Sequence, residues 1–109
     1  MLEPILGNKV VEKVLFYILN YGDGYARGIA RTFEIPLNGV QQQIKRLENG
    51  GVIAAQNKGN VRLYRFNPSY PFLKPLKQLL QEALDILPEK EIEKYYRMRT
   101  RPRRKGKPL

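Results

Sequence analysis

Asn38, Gln41, Gln42 and Lys45 are the side chains of this sequence whose types and spacing offer the clearest chemistry. Steps of three and four residues put them on one face of a helix, opposite an apolar stripe of Val40, Ile44 and Leu47, with Asn49 on the same polar face. Amide side chains make paired hydrogen bonds to adenine in a major groove and lysine contacts guanine or phosphate, each good pair discriminating by about 1 to 3 kcal/mol. The competing reading of the same four residues is a plain solvated face. Acid–base and nucleophilic chemistry is much poorer here, because the chain has no Cys and no His. That removes thiolates, disulfides, the usual zinc ligands and the side chain best suited to proton transfer near neutral pH. The sequence therefore reads as that of a non-enzyme with no cofactor and no metal.

The cations support a polyanionic partner. Twenty Lys and Arg against ten Asp and Glu leave a net charge of +10. From Met1 to Tyr70 nine basic residues face five acidic ones, whereas Arg97 to Leu109 holds seven basic residues and no acid. In the first part Arg27, Arg31 and Arg46 are placed to meet phosphates, and Lys58, Asn60 and Arg62 to meet backbone or minor groove. Such surface cations serve equally for solubility. Tyr25 and Tyr64 read as packing residues rather than phosphate contacts. In the tail, Arg99, Arg101, Arg103, Arg104 and Lys105 suit a flexible arm whose affinity falls with salt, or alternatively a merely solubilising terminus. Tyr95 and Tyr96 beside it read as packing against the preceding helix.

The elements that must position these residues follow from periodicity. Asn8 suits the cap of a helix with Val10, Val11, Val14, Leu15, Ile18 and Leu19 on its inner face. A turn-rich break, Asn20 to Gly24, precedes a short helix with Ala26, Ile29, Ala30 and Phe33 inside and Arg27 and Arg31 outside. Pro36 interrupts, and a third helix starts near Leu37 or Asn38 and stops at Asn49-Gly50-Gly51. Val52 to Asn57 and Val61 to Phe66 read as a β-hairpin joined at Lys58-Gly59-Asn60. Beyond Asn67-Pro68, residues Leu73, Leu76, Leu80, Ala83 and Leu87 alternate steps of three and four and form an interhelical seam, with a kink or restart at Pro88. Leu79, Leu84 and Ile86 widen that apolar face, which favours one contact within the chain and one across a two-fold axis.

The order helix, helix, turn, helix, hairpin resembles the winged helix-turn-helix family of DNA-binding regulators, in particular its ArsR/MarR-like branch of small prokaryotic transcription regulators. Tyr25-Ala26-Arg27-Gly28-Ile29-Ala30 is similar to the family's second-helix motif, and Val40 to Glu48 to its recognition helix. Gly51-Val52-Ile53 is similar to the entry to the wing, and Asn60 to Pro68 to the returning wing strand. The resemblance implies an α+β, mainly α fold: three helices plus a β-hairpin wing over 8–67. One or two C-terminal helices over 72–99, expected to serve dimerisation, and a basic flexible tail over 100–109 complete the expected organisation. It implies a sequence-specific binder of double-stranded DNA with the recognition helix in the major groove, acting as a homodimer. Metal-sensing members use Cys or His, which this chain lacks, and no Gly-Ser motif with paired carboxylates marks an attached nucleotidyltransferase. Two other functions compete: sequence-independent nucleic-acid packaging driven by the tail, and a winged-helix protein-interaction module. The N-terminus lacks the pattern of a signal peptide and no run approaches a membrane span, so a cytoplasmic location without membrane contact is expected.

Overall fold

Residues 1–96 are described by the computed structural model; the expectations placed on the tail, Arg99, Arg101, Arg103, Arg104 and Lys105 among them, lie outside the described residues. The chain begins with a short helix α1 (Glu3–Leu6), followed by α2 (Lys9–Tyr21), α3 (Ala26–Phe33) and α4 (Leu37–Asn49). An antiparallel hairpin of β1 (Ile53–Lys58) and β2 (Val61–Phe66) leads to α5 (Leu73–Asp85), then α6 (Glu89–Glu91) running into a π-helical turn, Ile92–Tyr96. This is the mainly helical architecture with one two-stranded hairpin that the sequence implies.

Local chemistry sets the boundaries. Asn8 caps α2 by accepting a hydrogen bond from the Val11 amide at 2.8 Å, satisfying one of the orphan donors of the first turn. Pro36 stands immediately before α4, where its missing N–H costs nothing, and a glycine pair ends that helix. The hairpin runs in register from Ile53 opposite Phe66 to Lys58 opposite Val61, so Lys58 belongs to the strand and the turn is Gly59-Asn60 alone. Gly59 has φ +60° while Asn60 keeps negative φ, the combination of a tight II′ turn that matches strand twist.

A second strand-like contact ties the hairpin to the helices. Gly24 donates to the Tyr64 carbonyl at 3.0 Å and accepts from the Tyr64 amide at 2.8 Å. At the hairpin's base, Asn67 donates from its side chain to the Gly51 carbonyl at 2.9 Å and from its backbone to Val52 at 3.0 Å. The wing is thus fixed at its root and along one edge.

One apolar cluster joins α2, α3, α4 and α5. Val11, Val14, Leu15, Phe16 and Ile18 supply the α2 face; Ile29, Ala30, Phe33, Val40, Ile44 and Leu47 close it from the helix-turn-helix side. Two findings depart from the sequence reading. The segment before Asn8 is part of the fold, since Leu2 is buried and its amide donates to the Glu12 carboxylate at 2.6 Å. The seam, expected to make one contact within the chain and one between copies, is largely internal: Leu80, Ala83 and Leu87 are buried within the same chain, with Leu73 and Leu76 half-buried. The physical reason is that α5 lies against α2, whose apolar face is too wide for α3 and α4 to cover. Among α5 and its exit, Leu79 and Ile86 remain exposed.

Candidate nucleic-acid interface

The polar face of α4 is exposed where periodicity places it: Asn38, Gln41, Gln42 and Lys45 all face solvent, and Val40, Ile44 and Leu47 are buried beneath them. The face has two flanks. On the wing side Gln41, Lys45, Glu48 and Asn49 line an open cleft of about 710 Å³ whose far wall is Asn60, Val61, Arg62 and Tyr64. The amino end of α3 closes the cleft with Tyr25, Ala26 and Arg27. Asn38 and Gln42 do not line this cleft.

Of the expected phosphate contacts, the structure brings Arg27, Asn60 and Arg62 to the cleft and leaves the others elsewhere. Arg27 also borders a second, shallower hollow of about 390 Å³ at the α3–α4 turn, together with Arg31. Lys58 is exposed on β1. Arg46 departs from expectation: its Nη2 donates to the Leu6 carbonyl at 3.0 Å and closes the carboxyl end of α1. It stands on the flank of α4 turned away from the wing, where a helix end with free carbonyls offers a nearer acceptor than solvent. Tyr25 departs as well, since it lies exposed on the cleft instead of packing in the core.

Arg62 is held in two directions. Its Nη2 donates to Glu48 Oε2 at 2.8 Å and its Nε to the Tyr64 hydroxyl at 3.1 Å. These hydrogen bonds, that to the Tyr64 hydroxyl first and that to Glu48 next, raise the guanidinium above its already high ordinary pKa and keep it cationic. Neither the partnership of Glu48 with Arg62 nor the closure of α1 by Arg46 was legible in the sequence, because the two members of each contact lie far apart along the chain.

At the opposite end, Tyr96 is buried with its ring edge-on to Phe16 at 5.8 Å, and Tyr95 lies 5.0 Å from Phe33. The Asn20 amide and the Tyr21 hydroxyl donate to the carbonyls of Tyr96 and Tyr95, each at 2.6 Å. Both tyrosines are therefore packing residues, but they pack on α2 and α3 rather than on the preceding helix as expected. Among the described residues no helix is long and apolar enough to cross a membrane, and no group of three or more His, Cys, Asp or Glu could hold a metal ion.

No family model and no curated protein matches the sequence. Solved structures do match in three dimensions. A homodimeric winged helix-turn-helix DNA-binding domain from Mycobacterium bovis, a possible ArsR-family transcriptional regulator, superposes with a TM-score of 0.58 at 23% identity, over 77% of this chain and 75% of that one. The YusO protein of Bacillus subtilis gives a TM-score of 0.58 at 19% identity, over 84% of this chain and 73% of its own. ZitR of Lactococcus lactis, a zinc-responsive MarR family member, gives 0.51 at 19% identity, covering 79% and 67%. The chain has the winged helix-turn-helix fold found in DNA-binding domains of ArsR/MarR-family regulators. In that fold α3 and α4 form the helix-turn-helix and the β1–β2 hairpin is the wing.

Proposed function

We propose that this protein is a transcription regulator that binds double-stranded DNA sequence-specifically, with α4 in the major groove and the wing on the adjacent backbone or minor groove. The observation that carries this reading is the exposed polar face of α4, with its amides Asn38, Gln41 and Gln42 and with Lys45, beside a cleft that Arg27, Asn60 and Arg62 bound from the flanking elements. Amide side chains on a rigid helix suit base edges, and cations on the flanking elements suit phosphates. The solved structures of like fold include a DNA-binding domain described as homodimeric, which supports both duplex DNA as partner and action as a dimer. Within this reading Asn38, Gln41, Gln42 and Lys45 read bases, and Arg27, Arg31, Lys58, Asn60 and Arg62 contact the backbone. The tail cations add affinity without adding specificity.

Selection from a randomised duplex pool at about 50 and 200 mM salt, the range over which phosphate contacts change affinity most visibly, tests the proposal. The expected result is enrichment of a palindromic motif at both salt concentrations. Binding without enrichment that vanishes at the higher salt contradicts it and points to packaging through charge alone.

A further inference from the structure

Glu48 is out of place on the surface just described. It lies three residues beyond Lys45 on the wing flank of α4 and contributes a negative charge to a cleft whose other charged residues are Arg27, Lys45 and Arg62. An unpaired carboxylate there repels phosphate. It is not unpaired: the 2.8 Å contact to Arg62 is the one ion pair between two side chains among the described residues, and it spans from the recognition helix to the returning strand of the wing. Tyr64 steadies the same guanidinium through its hydroxyl and its ring, whose centroid is 5.8 Å away. The pair therefore engages the wing cation that lines the cleft and neutralises the helix's anion at the same time.

We propose that Glu48 is a charge gate for the wing: it holds Arg62 against α4 in the free protein and releases it to a phosphate when duplex DNA enters the cleft. The gate rests on the DNA-binding reading and adds a condition to it. Neither partner is buried, the Arg62 and Glu48 side chains being 52% and 31% exposed, so the pair is screened by water and opens readily. Opening it on DNA leaves Glu48 uncompensated among phosphates. Contact with backbone alone is thus penalised, and the release is repaid only where the bases beneath α4 supply further hydrogen bonds. Glu48 thereby suppresses binding to unrelated sequence.

The test is a double-mutant cycle of Glu48→Gln, Arg62→Gln and the combined variant, with affinity for a selected duplex and for a random-sequence duplex measured across about 50 to 200 mM salt. Glu48→Gln keeps the side chain's shape and an acceptor oxygen while removing its charge, and far-ultraviolet circular dichroism controls for fold. The gate predicts several-fold tighter binding by Glu48→Gln, more for the random duplex than for the selected one. It also predicts that, on the random duplex, where the unaltered protein keeps the pair closed, the log-affinity against log-salt slope of Glu48→Gln is steeper by about 0.9, one additional phosphate contact, when Arg62 is present and unchanged when it is glutamine. The same slope change in both backgrounds, or none in either, overturns the gate. Failure of the unaltered protein to bind duplex DNA at all overturns the DNA-binding reading itself.

Discussion

Gly24 has no room for a β-carbon: one built there would stand 2.7 Å from Cε1 of Tyr17 and 3.2 Å from Cδ1 of Ile29. Its backbone also carries the two hydrogen bonds to Tyr64 that fix the wing beside α3. Gly24→Ala is expected to lower stability by about 1 to 3 kcal/mol, the usual cost of overpacking, with the wing resonances shifting most in a two-dimensional NMR spectrum. Unchanged unfolding would show that Tyr17 yields without cost. The sequence displays Asn20 to Gly24 as a break, but nothing in it distinguishes Gly24, which serves a close approach, from Gly22, which serves a positive φ at the end of α2. The base-reading candidates were more legible. Their exposure follows from helical period once Val40, Ile44 and Leu47 are assigned inward, whereas the side-chain partners of Arg46 and Arg62 depend on tertiary approach.

At the scale of elements, α5 is the instructive case. Its apolar residues repeat with the alternating spacing of a seam, and spacing is silent on whether the partner is another copy or the same chain. The structure assigns Leu80, with no exposed surface, to the shared core. Leu80→Ala should therefore cost about 2 to 5 kcal/mol in chemical denaturation, independent of protein concentration, because the cavity opens inside one chain. A loss that disappears on dilution would instead locate Leu80 between copies. Dimerisation, as part of the proposed function, then falls to the apolar surface that α5 leaves exposed around Leu79 and Ile86. The helix α1 is not legible in the sequence for a related reason: four residues carry no period, and the burial of Leu2 is set by α2 and α5. The wing, by contrast, is legible to within a residue, since a Gly-Asn turn between two short runs of strand-forming residues is a local signal.

Across the whole molecule, two ends of the fold are held by different physics. The cleft end is polar and exposed, while the end farthest along the chain is an aromatic cluster of Tyr17, Phe33, Tyr95 and Tyr96 that fastens the C-terminal turn to α2 and α3. Burial pushes the Tyr96 phenol well above its ordinary range, and the carboxylates of Glu91 and Glu12 add to the effect. The folded protein thus favours the protonated phenol, and this contribution is intact below the unfolded pKa of about 10 and is lost as pH rises beyond it. Thermal unfolding followed upward from about pH 9 should fall more steeply for the unaltered protein than for Tyr96→Phe; parallel curves would contradict the assignment. The overall plan is readable because pattern, caps and turn chemistry agree along the chain, and the proposed division of labour between base-reading and backbone contacts rests on that plan. It is tested most directly by comparing the affinities of the unaltered protein and the Gln41→Ala, Gln42→Ala double variant for the selected duplex and for a scrambled one at equal salt. The account predicts that the preference collapses while affinity for the scrambled duplex is retained. A preference that survives the double substitution, or a parallel loss on both duplexes, would contradict the claim that α4 reads the sequence.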